Sequence, residues 1–281
     1  MLDQPAKLAR ELGRICYAAG EAIMRIYVRP ELWDANHKQD ASPVTAADLA
    51  AHKIITDALN HLVPRLPVLS EEEADISWAT RRQWARYWLV DPLDGTKEFL
   101  ARNGEFTVNI ALIEHGQPVF GMVHLPVSGL TYYGGRRFGS FLQPRQGESS
   151  VIKVRPLAWP AVDLVASQRH GNEQLQPLLQ ALQDAGAQVN CVGLGSSLKF
   201  CRIAEGKADF YPRLAPTSEW DTAAAQAVVE GAGGRVLDWT FRPLVYNQRS
   251  ELENPHFMVV GDLNHPWPEW LAPLVTKRPQ A

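Results

Sequence analysis

Tyr87-Trp88-Leu89-Val90-Asp91-Pro92-Leu93-Asp94-Gly95-Thr96 joins four large apolar residues to a turn bearing two carboxylates. The apolar run predicts a buried strand that delivers Asp91 at its C-terminal end. Pro92 fixes φ and removes a donor, so the strand is expected to stop there. Gly95 permits a tight backbone path. Asp91 and Asp94 can then converge on one point, with the Leu93 carbonyl in the same turn not committed to a ladder. Three hard oxygens on one turn suit Mg²⁺, which binds through few carboxylates and retains waters. A plain surface turn fits this segment equally well, because Asp-x-x-Asp and Asp-Gly are common turn sequences.

Upstream, Leu8, Leu12, Ile15, Ala19, Ala22, Ile23 and Ile26 mark one face of a helix running to about Tyr27. Thr45-Ala46-Ala47-Asp48 opens a second helix in the manner of a capping box, with Asp in place of Glu. Residues 67–70 read as a short strand ending in Glu71-Glu72-Glu73. Downstream, residues 106–113 and 118–125 read as a hairpin, with further short strands around Tyr132 and Phe141. Beyond about residue 155 the rhythm alternates. Strands are expected at 163–166, 188–192, 208–211 and 235–237, and helices at 173–184, 197–205 and 221–230. The reading is α/β (α+β): residues 1–150 form an α+β unit and residues 151–281 an α/β unit, parted by the polar stretch 143–157.

Length and composition set the class. With 281 residues the chain is long enough for two domains or one large one. Hydrophobic residues make up 46% and charged residues 21%, which excludes a disordered chain, a fibre or a coiled coil. A net charge of −3 gives no general attraction for nucleic acid or acidic membrane, so an anionic substrate needs a local device. Cys16, Cys191 and Cys201 show no CxxC spacing, which argues for a reducing compartment and a role as small core residues. No membrane span and no signal peptide is seen at the N-terminus, so the expected location is cytoplasmic.

Two more carboxylates sit at element ends. Glu71 follows the strand at 67–70, and Asp221 stands where a helix begins. Asp221 reads as an N-cap on its own. Together with Asp91 and Asp94, the pair would make a two-metal site for phosphoryl transfer. The run Val90-Asp91-Pro92-Leu93-Asp94-Gly95-Thr96-Lys97-Glu98-Phe99 resembles the first motif of the lithium-sensitive, Mg²⁺-dependent phosphatases, the inositol monophosphatase superfamily. Trp220-Asp221-Thr222-Ala223-Ala224, closing at Gly231-Ala232-Gly233-Gly234, is similar to its second motif. Both occur in the family's order and spacing, and the resemblance covers nearly the whole chain. The Thr96-Lys97-Glu98-Phe99 ending, with Ser42-Pro43-Val44-Thr45, resembles the bisphosphate nucleotidase branch of the bacterial CysQ type.

That resemblance implies a layered α-β-α-β-α sandwich with the site between its halves. It implies that Glu71, Asp91, the Leu93 carbonyl, Asp94 and Asp221 hold two or three Mg²⁺ ions. Gly95 and Thr96 would contact the scissile phosphate, with Asp48 and Thr96 as the pair that orients or deprotonates the attacking water. Glu72 and Glu73 read as a solvated acidic turn, and Thr45 as a helix cap.

The implied reaction is hydrolysis of 3′-phosphoadenosine 5′-phosphate (PAP) to AMP and phosphate, a step in sulfur metabolism. Ser196 and Lys199 at a helix start, with Arg213 downstream, resemble the nucleotidase residues that hold the uncleaved 5′-phosphate. An ordinary capped helix with a solvated Lys is the plainer reading of the same residues. His170 is a candidate for stacking on the base. An inositol-1-phosphate phosphatase and a non-catalytic binder of anionic metabolites are the alternatives. No nucleic-acid partner is expected, because no basic stripe with interleaved aromatics is present. The resemblance also implies peripheral association with the cytoplasmic face of the inner membrane, although no anchor is evident beyond the apolar stretch 271–275. It leaves the oligomeric state open.

Overall fold

The computed structural model describes residues 2–33, 36–37, 43–167 and 172–275. In chain order the first elements are α1 (Pro5–Tyr27), a 3₁₀ turn at Pro30–Leu32, β1 (Asn36–His37), β2 (Pro43–Val44), α2 (Ala46–Asn60), β3 (Val68–Ser70) and α3 (Trp78–Arg81). Then come β4 (Arg86–Asp94), α4 (Thr96–Leu100), β5 (Thr107–Glu114), β6 (Gln117–Leu125), β7 (Leu130–Gly135), β8 (Gly139–Gln143) and β9 (Ser150–Ile152). The remainder is β10 (Ala161–Ser167), α5 (Asn172–Asp184), β11 (Gln188–Leu194), α6 (Leu198–Ala204), β12 (Phe210–Arg213), α7 (Glu219–Gly231), β13 (Arg235–Asp238), β14 (Phe257–Val260) and α8 (Trp267–Val275).

A seven-stranded sheet runs β3-β4-β5-β6-β7-β8-β9 and a five-stranded sheet runs β11-β10-β12-β14-β13. β3 and β4 are parallel, and the rest of the large sheet is antiparallel. Helices α1 and α2 cover one face of the large sheet. Helices α6 and α7 lie between the two sheets, and α5 and α8 pack together on the outer side of the small one. The layer order is α-β-α-β-α, as the resemblance implies.

Periodicity explains the outer layer. α1 buries Leu8, Leu12, Ile15, Cys16, Ala19 and Ile23 on one stripe, and α2 buries Ala47, Ala51, Ile55 and Leu59 at four-residue spacing. Each buried Leu or Ile contributes roughly 1.5–3 kcal/mol, so Leu12→Ala would cost about 2–5 kcal/mol. The middle layer is built differently. α7 is buried from Thr222 through Glu230, with Ala223, Ala224, Ala225 and Ala227 keeping it thin enough to lie between two sheets. Gly121 of β6 meets this helix so closely that a Cβ there would fall 2.0 Å from the Ala224 carbonyl oxygen. The hairpin between β5 and β6 turns through His115 and Gly116, both at positive φ, which suits the twist of a two-residue connection.

Two expectations and two of the plainer alternatives are corrected. β4 does not stop at Pro92. It runs to Asp94, with Asp91 paired to Asn109, Asp94 paired to Thr107, and a bulge between them. Pro92 is tolerated because a bulge demands no donor from it and because β3 has already ended opposite Val90. Asp221 is not the N-cap of α7; Ser218 is, and Asp221 is the third residue of the helix. Cys16 and Cys201 are buried, but Cys191 is exposed, because β11 is the edge strand of the small sheet. Lys199 is not solvated but buried. No helix among the described residues is long and apolar enough to cross a membrane.

Candidate active site

The carboxylates meet at the β4 bulge and at the ends of neighbouring elements. Asp91 and Asp94 flank the β4 bulge, with Leu93 between them donating its N–H to Asp91 Oδ1 at 3.0 Å. Glu71 follows β3 directly, and its N–H donates to the Val90 carbonyl at 3.1 Å, which sets it beside Asp91. Asp221 arrives from the first turn of α7, where its Oδ2 accepts from the Ser218 N–H at 2.9 Å. One oxygen each of Asp91, Asp94 and Asp221 lies within 4.8 Å of the others. Burial, then the charges of Glu71, Asp94 and Asp221, push the Asp91 carboxyl well above the usual range. Asp221 is pushed up by burial and by Asp94 and Glu71, and Arg213 offsets this in part. An all-oxygen set of mutually repelling carboxylates fits a hard divalent cation, whose charge would offset both shifts.

Asp94 is held by groups that the sequence did not single out. Its Oδ2 accepts from the Ser197 N–H at 2.6 Å, the Thr107 hydroxyl at 3.3 Å and the Asn109 amide at 3.3 Å. Asn109 also donates to Ser197 Oγ at 3.0 Å, and the Ser197 hydroxyl donates to the Asp221 carbonyl at 2.9 Å. A signal was present: Thr107 and Asn109 are polar at alternate positions of a strand otherwise apolar up to its last residue, Glu114.

Asp48 and Thr96 come together as expected. Thr45 caps α2, its Oγ1 accepting from the Ala47 N–H at 3.1 Å, while Asp48 Oδ2 accepts from the Thr45 N–H at 2.8 Å and hydroxyl at 2.6 Å. The other oxygen, Oδ1, accepts from the Thr96 hydroxyl at 3.2 Å. Thr96 starts α4 directly after Gly95, whose φ of 94° a side chain would resist. Burial pushes the Asp48 carboxyl up to about 6, against the lowering hydrogen bonds from Thr45 and with the charges of Glu72 and Glu71 adding to the rise. A carboxylate so tuned can accept a proton near neutral pH.

A cleft of about 120 Å³ opens beside these groups and is lined by Asp94, Gly95, Ser196, Lys199, Arg213 and Asp221. Lys199 Nζ donates to the Ser196 carbonyl at 2.7 Å and the Leu194 carbonyl at 3.2 Å, and lies 5.4 Å from the Tyr211 ring centre. Burial lowers its pKa to about 8, so it remains a cation at neutral pH. Arg213 is steadied by the carbonyls of Ala215 and Pro216 at 3.1 and 2.9 Å. Tyr211 and Phe257 give the cleft an apolar side that sequence reading did not anticipate. His170 lies outside the described residues, although Ser167 before it borders the cleft. Glu73 is exposed, as expected of an acidic turn, and faces His52 Nε2 at 3.7 Å.

Residues 5–276 match the family model described as the inositol monophosphatase family. A curated relative from Escherichia coli (strain K12), 3′(2′),5′-bisphosphate nucleotidase CysQ, is 48% identical over 259 residues, covering 92% of this chain and 99% of that protein. The protein of the same name from Haemophilus influenzae is 38% identical over 275 residues, 95% of this chain and 97% of its own. Among solved structures, the crystal structure of CysQ from Bacteroides thetaiotaomicron superposes with a TM-score of 0.78 at 37% identity, covering 90% of this chain and 97% of that one. Matched along most of its length by family model, relatives and solved structure alike, the chain belongs to the inositol monophosphatase family.

Proposed function

We propose that the chain is a Mg²⁺-dependent phosphomonoesterase that hydrolyses PAP to AMP and phosphate. The observation that carries the reading is one cleft whose lining joins Asp94 and Asp221, which cluster with Asp91, to the cations Lys199 and Arg213. The relatives that are 48% identical bear the name of that activity. Glu71, Asp91, Asp94, Asp221 and the Leu93 carbonyl would hold two or three Mg²⁺ ions. When bound, Mg²⁺ supplies charge against the phosphate oxygens and makes water more acidic.

The chain's own groups do the rest. Thr96 gives its hydroxyl hydrogen to Asp48, which leaves the Thr96 oxygen turned outward to accept one from water. The water oxygen bonds to the 3′-phosphorus as its proton passes by way of the Thr96 hydroxyl to Asp48, the bond from phosphorus to the ribose oxygen breaks, and that oxygen leaves as a hydroxyl by taking a proton from solvent, to which Asp48 returns its own. Gly95 and Thr96 position the reacting phosphate. Ser196, Lys199 and Arg213 hold the 5′-phosphate, which does not react, and His170 belongs to the base end of the same reading. In this reading residues 1–150 carry most of the ligands and residues 151–281 complete the site. The same reading carries inhibition by Li⁺ and a cytoplasmic place with peripheral contact to the inner membrane.

The test is phosphate release from PAP, its sulfated precursor PAPS, inositol 1-phosphate and fructose 1,6-bisphosphate at equal Mg²⁺. PAP is expected to lead in kcat/KM. A lead for inositol 1-phosphate would make the chain an inositol phosphatase, and binding of PAP without release would make it a non-catalytic member.

A further inference from the structure

We propose that the groove between α1 and strands β6, β7 and β8 is a second ligand site, for an anionic group carried on an apolar or aromatic body. The groove encloses about 740 Å³ and is remote in sequence from every residue of the catalytic cleft. That volume falls in the range of small-molecule sites, roughly 300–1,000 Å³.

Its charge is one-sided. Arg10 and Arg14 stand one turn apart on α1, and Arg145, just beyond β8, lines the same groove. Among the described residues none of the three pairs with a carboxylate. Like charges four residues apart weaken a helix, so nothing in the fold accounts for gathering them. The acidic lining residue, Glu21, is seven residues past Arg14, about 10 Å along the helix axis. The arginine end therefore presents a cationic rim in a chain whose net charge is −3.

The floor is of the opposite kind. Met122 of β6 is buried beneath it, and the Tyr17 and Tyr133 rings border it. Thr131 is in the floor too, but its hydroxyl is bonded to His124 Nδ1 at 2.8 Å. His124 is itself buried and packs against Tyr17 with ring centres 5.6 Å apart. With that polar group taken up, the floor offers mainly apolar surface, and guanidinium groups border it. Gly13 lies between the two, and a Cβ built there meets nothing within 4 Å.

The probe for the test is 1-anilinonaphthalene-8-sulfonate, an aromatic anion, titrated by fluorescence against the full chain. Saturable binding at one site is expected. Arg14→Gln combined with Arg145→Gln should weaken it about tenfold or more. Gly13→Leu should fill the groove and abolish binding without lowering the Tm, since it enters open space and favours the helix. PAP turnover should be unchanged in both variants. The uncharged analogue N-phenyl-1-naphthylamine should bind more weakly and ignore the arginine changes. Binding indifferent to Gly13→Leu and to the double arginine change would overturn the site. Sedimentation showing a dimer that Gly13→Leu disperses would assign the groove to a second copy of the chain instead.

Discussion

Asp48→Asn is a small change in shape with a large expected effect, and the hydrogen bonds say why. Asp48 Oδ2 receives two donors from Thr45, so the oxygen of an introduced Asn must stay on that side. Its NH₂ group then replaces Oδ1 and points at the Thr96 hydroxyl, 3.2 Å away in the native chain. The hydroxyl must reverse: it accepts from the Asn and sends its hydrogen toward the water from which it should take one. Removing a positioned base costs about 10²–10⁴ in kcat, with KM changed little because ground-state contacts are intact. Thr96→Ala interrupts the same relay, so the double variant should be no slower than the slower single one. The pH profile carries the second half of the argument. The Asp48 carboxyl is pushed up to about 6, so wild-type activity falls as pH drops through that region and the acid protonates the base. Because Glu71 and Glu72 contribute to the rise, divalent cations bound beside Glu71 should move this acid limb to lower pH as Mg²⁺ is increased. Phosphate release at saturating PAP, across pH and at two Mg²⁺ levels, measures all of this. Multiplying losses in the double variant, or an acid limb that Asp48→Asn leaves in place, would refute the relay.

Asp91→Asn should abolish turnover at ordinary Mg²⁺ yet raise the Tm of the chelator-treated protein, because it removes one of several buried, mutually repelling charges; a lowered Tm would contradict the repulsion. Added Mg²⁺ should raise the Tm of wild type and do so less in that variant. Arg213→Ala should cut kcat/KM for PAP roughly ten- to a hundredfold and leave 3′-AMP, which lacks the second phosphate, nearly unchanged; equal losses would remove the phosphate-holding role. Lys199→Ala should do the same and also loosen the 194–196 turn, whose carbonyls it holds. His124 is buried and its imidazole is lowered from 6.5 to about 4, so its contribution to stability is intact above 6.5 and is lost as pH falls toward 4. At about 1.4 kcal/mol per pH unit, roughly 2 kcal/mol should be gone near pH 5, and urea unfolding of His124→Gln should lack that part of the decline.

Much of the fold could be read because its segments obey a single period. The stripe on α1 and the alternation and turn between β5 and β6 are local patterns, and both elements lie where those patterns put them. What was missed depends on distant partners. β14 is four apolar residues after a long irregular stretch, and it becomes a central strand only because β12 and β13 pair with it on either side. β9 is three residues long and exists as the last rung on β8. Pro92 misleads for the same reason: whether proline ends a strand depends on which neighbour needs its N–H. Here β3 is too short to ask and the bulge spares β5.

The carboxylates were legible individually, but the geometry that makes them a site was not. Each acidic residue stands beside a strand or helix end that a local pattern marks. Their spacing, however, follows from the register Asp94 to Thr107. A strand that stopped at Pro92 would leave Asp94 on a free turn. Continuing past the bulge, it seats Asp94 against Thr107 and Asn109, and Asn109 in turn reaches Ser197. Ser197 stands directly before α6 and bonds the Asp221 carbonyl in α7, so one chain of hydrogen bonds ties the large sheet to both helices of the middle layer. That tie has to be firm. Beyond burial, the charges of Glu71 and Asp94 raise the proton affinity of both Asp91 and Asp221, and in a loose site the carboxylates would separate to relieve it. Holding them together without a cation is unfavourable, and the packing of α7 between two sheets is what opposes their separation. A site assembled against its own repulsion in this way has little rearrangement left to make when a divalent ion arrives, so most of the ion's attraction is available as binding energy.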